Sequence, residues 1–206
     1  MLLQRIQQQF IDSADLKYQC AQTLAPMVEA ATTALLASVT GGGKVLTCGN
    51  GASAAAAQHF AASFIGRYDR ERPELAAVSL SADAAVLTAL IADFDPRSVF
   101  ARQVRALGQA GDVLLVLSTS GNSQNVIAVV EAAHERDMVV VALTGARGGQ
   151  LAQLLRDTDV HICVPSDVPA RILEVHHLVL HCLCDGVDAQ LLGLPESLSN
   201  ETENPA

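Results

Sequence analysis

Two short runs in this sequence combine glycine, hydroxyl and amide side chains in an order suited to holding an oxyanion. They are Cys48-Gly-Asn-Gly-Ala-Ser53 and Ser118-Thr-Ser-Gly-Asn-Ser123. Glycine lets a backbone come close to a ligand, hydroxyls donate to anionic oxygens, and the start of a helix adds unpaired N–H groups and a favourable dipole. Neither run contains Lys or Arg, so a phosphate there would be held by neutral donors. The candidate contacts are Asn50, Gly51, Ser53, Ser118, Thr119, Ser120 and Ser123. One such loop reads as ordinary capping and turn chemistry. Two of them, each after a strand, point to a phosphate site, although neither is a Walker or dinucleotide fingerprint.

The histidines are the second group with chemical potential. His59 lies in Ala54-Ala-Ala-Ala-Gln-His-Phe-Ala-Ala-Ser63, a small, apolar neighbourhood with no carboxylate. Leu173, His177 and His181 follow at i, i+4 spacing and share one helical face, where His177 could assist a metal site. His134 and His161 have no motif around them and read as surface or packing residues.

The elements that must position these groups follow from hydropathy. Apolar runs at 44–48, 76–80, 112–117, 138–143 and 160–164 read as strands, most of them continuous, as strands buried on both faces of a parallel sheet are. Helical patterns fall between them, near 53–66, 83–91, 98–108, 123–136 and 148–156, with a longer one near 168–192. That alternation implies a three-layer α/β fold, a doubly wound five-stranded parallel sheet with flavodoxin-like strand order. Ligands of such sheets bind at the C-terminal ends of the strands, where both loops lie. Residues 2–22 and 26–40 carry helical spacing with Pro26 suited to a first turn, which reads as a helical hairpin over 1–40. The core domain then covers 41–192 and a flexible tail 193–206.

Composition excludes several function classes. Net charge is −9, from 13 Lys+Arg against 22 Asp+Glu, and five Phe, two Tyr and no Trp leave few stacking platforms. Direct nucleic-acid binding is therefore disfavoured. No apolar stretch reaches the roughly 18–20 residues of a membrane span, and the first residues lack the order of a signal peptide. Five scattered cysteines read as reduced thiols of a cytoplasmic protein.

The two loops, together with Val141-Ala-Leu-Thr-Gly145 and Ala170-Arg-Ile-Leu-Glu-Val-His176, resemble the sugar isomerase (SIS) domain family over roughly residues 2–192. The likeness is to the branch that contains phosphoheptose isomerase and DiaA, the protein that associates with the replication initiator DnaA. The resemblance implies a homotetramer with the N-terminal helices in its core, and phosphosugar binding by Ser53, Ser118, Thr119, Ser120 and Ser123. In the isomerases of this branch, a His and a Glu on the helix after the first loop, and a Gln and a His on the last helix, carry the acid–base chemistry and can hold zinc. His59 and His181 match the two histidines, whereas Ser63 stands at the Glu position and Leu173 at the Gln position.

Losing a general base costs on the order of a hundredfold to ten-thousandfold in rate. The expectation drawn from Ser63 and Leu173 is a non-catalytic, DiaA-like phosphosugar-binding protein that binds DnaA and promotes its assembly at the origin. Such a protein has no cofactor and no metal, with His59, His177 and His181 left as residual candidates. The alternative is a phosphoheptose isomerase converting sedoheptulose 7-phosphate to glycero-manno-heptose 7-phosphate, with zinc. A phosphosugar sensor without chemistry is a third reading.

Overall fold

A computed structural model describes residues 1–193 of the chain. Five strands, β1 (Val45–Gly49), β2 (Ala77–Ser79), β3 (Val113–Ser118), β4 (Val139–Thr144) and β5 (Val160–Cys163), form one sheet in the order β2-β1-β3-β4-β5. Every neighbouring pair is parallel. Successive strand residues point to opposite faces, so the apolar runs divide into two cores. Val45, Val113, Leu115, Val141, Leu143 and Ile162 pack under α1 (Leu2–Thr40), α2 (Ala52–Ile65) and α7 (Pro169–Leu192). Leu46, Leu114, Val116, Val140 and Ala142 pack under α4 (Val99–Leu107) and α5 (Gln124–Glu135). This is the three-layer, flavodoxin-like α/β architecture expected from the hydropathy pattern. α3 (Ala84–Asp93) buries no residue fully; Asp83 caps it by accepting from the N–H groups of Ala85 and Val86.

Two expectations need correction. Residues 2–40 are one helix rather than a hairpin, with Pro26 inside it. A proline in a helix interior removes one hydrogen bond and costs about 3 kcal/mol. Here Cys20 and Leu24 before it, and Ala31 and Leu35 after it, sink into the same cluster as Val175, Val179 and Leu183 of α7. Burial of each large side chain is worth about 1.5–3 kcal/mol, so a continuous stripe on α7 outweighs the break. The two helices run in the same direction: Arg171 donates to the Gln9 carbonyl, Ser13 to Glu174, and Thr32 lies against Gly186. α1 is also the one described helix long and apolar enough, by length and composition, to cross a membrane.

The helix expected at 148–156 shrinks to α6 (Leu151–Leu154), after a turn of 3-10 helix at Ala146–Gly148. Gly148 and Gly149 have φ of +85° and +57°, a conformation that cannot begin an α-helix. The tail expectation concerns residues that lie outside the described ones, apart from Gly193.

The first turns of α7 are tied to the sheet by His176. It is fully buried, its Nε2 donates to the Thr144 carbonyl over 3.0 Å, and its Nδ1 has no partner. Burial pushes its pKa down to about 4. The unfolded chain therefore takes up this proton first, and stability is lost as pH falls from about 6.5 toward 4. That is on the order of 3 kcal/mol for this one group. Urea unfolding at a series of pH values should show a shallower acid-side loss in His176→Gln than in the wild type.

Candidate functional site

The order β2-β1-β3 means that the chain leaves β1 and β3 toward opposite faces, and a crevice opens between their C-terminal ends. Gly49 pairs with Leu117 in register, so the two hydroxyl-rich loops emerge side by side. The seven residues expected to bind phosphosugar are thus brought to one edge of the sheet.

In the first loop, Gly51 takes φ +54° ahead of α2, and Ser53 sits nearly buried in the first turn of that helix with its N–H on the Asn50 carbonyl. In the second loop, the hydroxyls of Ser118 and Ser120 accept from the N–H groups of Gly121 and Asn122, and the Ser118 and Ser123 hydroxyls lie 3.4 Å apart. Gly121 has φ +64°, and a Cβ there would lie 1.9 Å from the Gly148 carbonyl oxygen, so only glycine fits. The loop after β4 supports it from behind: Gln150 N–H donates to Asn122 Oδ1, Leu151 N–H to the Gly121 carbonyl, and Gly145 N–H to the Thr119 carbonyl.

Asn125 was not among the sequence candidates. Its amide and that of Asn50 exchange two hydrogen bonds, at 2.9 and 2.8 Å, and strap the two loops together. An Asn within the first turn of a helix after a Gly/Ser loop was the only signal. The Asn50 side chain is therefore engaged with Asn125, while its carbonyl orders the start of α2.

The histidines form the second part of the site. His59 lies six residues beyond Ser53 on α2, about 9 Å along the helix axis. His181 of α7 faces it with the two Nε2 atoms 3.3 Å apart. His177 is on the same side, its ring centroid 6.4 Å from that of His59, and the Tyr68 ring lies 5.5 Å from His181. Desolvation lowers the pKa of His181, and the neighbouring His59 and His177 lower it further. A neutral imidazole on one side and a ring N–H on the other satisfy the contact, so the pair can hold one shared proton. His134 and His161 prove to be structural: His134 Nε2 pairs with Asp159 and His161 Nε2 with the Thr144 hydroxyl, both at 2.7 Å.

A spacing of 3.3 Å between imidazole nitrogens is about what two ligands of one tetrahedral zinc would have. The rest of a zinc set does not fit. Leu173 offers no donor at the Gln position, Ser63 no carboxylate at the Glu position, and no three His, Cys, Asp or Glu side chains among the described residues converge as a metal site. His177 thus does not complete one.

A family model described as SIS domain matches residues 9–145. The chain is 59% identical to a phosphoheptose isomerase of Methylibium petroleiphilum over 94% of its own length and 96% of that protein's. It is similar in structure to a phosphoheptose isomerase of Neisseria gonorrhoeae, with TM-score 0.87 and 48% identity over 92% of this chain and 100% of that one. A phosphoheptose isomerase of Francisella tularensis gives TM-score 0.88 and 42% identity over 91% and 98%. These likenesses overturn the expectation of a DnaA-binding protein of replication initiation. Identity this high over nearly the whole chain outweighs the two exchanged side chains, Ser63 and Leu173, on which that expectation stood.

Because His59 helps to hold down the pKa of His181, His59→Ala should raise it toward 6.5. Ring-proton NMR followed through a pH titration checks this: an unmoved midpoint would show that the two rings do not interact, and a lower one that His59 favours the charged form of His181.

Proposed function

Since the chain belongs to the SIS domain family, we propose that it is an aldose–ketose isomerase acting on a seven-carbon sugar phosphate, the interconversion of sedoheptulose 7-phosphate and glycero-manno-heptose 7-phosphate. The observation that carries the reading is the placement of the His59–His181 pair on helices that lead away from the sheet edge carrying the two hydroxyl-rich loops. The distance along α2 suits an extended sugar phosphate with its phosphate against Ser118–Ser123 and its carbonyl end at the imidazoles.

The reaction moves a proton between C1 and C2 through an enediol. It needs one group to take the C–H proton and one to give a proton to the carbonyl oxygen. His181, kept neutral by its surroundings, takes the proton from carbon. The ring N–H of His59 supplies the proton to oxygen. The enediol then collapses with the roles reversed, and the carbonyl appears on the neighbouring carbon. Hydroxyls and N–H groups of the loops hold the phosphate, whose charge helix starts favour, and keep the reacting end in register. Every proton in this scheme travels on the chain's own imidazoles.

Ser63 and Leu173 favour one other reading, binding of the sugar phosphate without turnover. A coupled assay on the wild type separates the two: turnover at roughly 1 per second or faster supports the isomerase, and none leaves binding alone. In an active protein, His181→Ala should lower kcat by on the order of a hundredfold to ten-thousandfold. Ser120→Ala with Ser123→Ala should chiefly weaken sugar-phosphate binding measured by calorimetry, and unchanged affinity would move the phosphate elsewhere.

We also propose that the protein works as a homotetramer. Leu3, Ile6 and Phe10 of α1 lie exposed at helical spacing, and an apolar groove between α1 and α7 has Ala21, Val28 and the exposed Leu178 along its open side. Exposed apolar surface of this kind marks contact sites. Light scattering should give about four times the 21.6 kDa of one chain, and a monomer at micromolar concentration would remove the proposal.

A further inference from the structure

Arg72 is the one arginine among the described residues whose side chain is wholly removed from solvent, and it makes no contact with the sheet edge where phosphate would bind. Its Nε donates to Asp188 Oδ1 at 2.5 Å, with side-chain exposures of 0% and 3%. The two remaining nitrogens donate to backbone: one to the carbonyls of Phe64 and Pro73, the other to that of Ser63, at 2.9, 3.1 and 3.0 Å. The guanidinium also lies 5.7 Å from the centre of the Phe64 ring.

Ser63 and Phe64 belong to the last turn of α2, where helix carbonyls have no partner within the helix and a cation is favoured. They stand one turn beyond His59. Asp188 stands two turns beyond His181 on α7. Spacings of four and seven residues keep a side chain on the same helical face, so Arg72 joins the two helices along the faces that carry the imidazoles. We propose that the Arg72–Asp188 pair is a positioning device that sets the separation of His59 and His181.

The energetics agree with a role in geometry. Asp188 Oδ2 is buried with no partner, and a buried ion pair can often be replaced by apolar residues with no loss of stability. Leucine and methionine there would fill the space without fixing the distance between the helices. For catalysis the inference rests on the isomerase reading; for the geometry of the imidazoles it does not.

The test uses Arg72→Met combined with Asp188→Leu, and Arg72→Lys alone, in the full-length protein. Thermal midpoint, the ring-nitrogen resonances of 15N-histidine protein, and kcat and KM are read for each. The expected result for the double variant is a folded protein with a lowered thermal midpoint, because the carbonyls of Ser63, Phe64 and Pro73 lose their donor, together with an unchanged KM, kcat lowered tenfold or more, and a changed pair of His59 and His181 resonances. Wild-type resonances and kcat in the folded double variant would overturn the proposal. If the double variant does not fold, Arg72→Lys decides, because lysine keeps the charge but cannot fork between the carboxylate and the carbonyls. Altered resonances in it support the positioning role, and unaltered ones remove it. Should the wild type turn nothing over, the resonances alone decide, so failure of the isomerase reading remains distinct from failure of this one.

Discussion

The reversal of strand order beside β1 is the constraint from which the site follows. A parallel sheet places all strand ends at one edge, and only where successive crossovers go to opposite faces do two loops part and leave a crevice. Here β1 and β3 are neighbours with Gly49 opposite Leu117. Two hydroxyl-rich loops far apart in sequence therefore become two walls of one cleft. The reciprocal amide pair of Asn50 and Asn125 fixes their spacing, and the glycines of the third loop buttress the second wall. An anion in this cleft meets N–H groups and hydroxyls already oriented by their own bonds.

A second layer depends on how closely α2 approaches its neighbours. Ala56, Ala57 and Ala61 are buried on that helix, and small side chains let helix axes draw near. Phe60 and Phe64, stacked with centroids 4.8 Å apart, fill the remaining space. The same run of alanines that makes the sequence around His59 look bland lets His59 reach an imidazole of α7. Polar chemistry at the surface of this helix thus rests on an apolar seam beneath it.

Much of this was legible before any coordinates. Strands buried on both faces must be apolar throughout, so their number, order class and loop-bearing ends could be read from hydropathy. The continuity of α1 could not. A proline signals a break locally, and the residues that override it, Val175, Val179 and Leu183, stand some 150 positions away in sequence. Nothing local in the sequence shows that the charge of Arg72 is buried, because the carboxylate that meets it, Asp188, stands 116 positions away. Asn125 escaped because its partner comes from another loop. The functional reading leaned on Ser63 and Leu173, two positions where side-chain type departs from the isomerase pattern. The likeness spread over the rest of the chain carried more information than those two positions.

The alignment of α1 with α7 has a consequence for how the chain comes into being. During synthesis α1 finds the helix it packs against only some 150 residues further along the chain: Gln9 meets Arg171 and Ser13 meets Glu174. At about 5–20 residues per second, the stripe of Cys20, Leu24, Ala31 and Leu35 waits roughly ten to thirty seconds for its cover. During that interval the nascent chain carries an unpaired greasy ridge, open to misassociation between neighbouring chains on one message or to capture by a holding chaperone. Closure of the seam between α1 and α7 thus has to wait until all five strands, which lie between them in sequence, have been made.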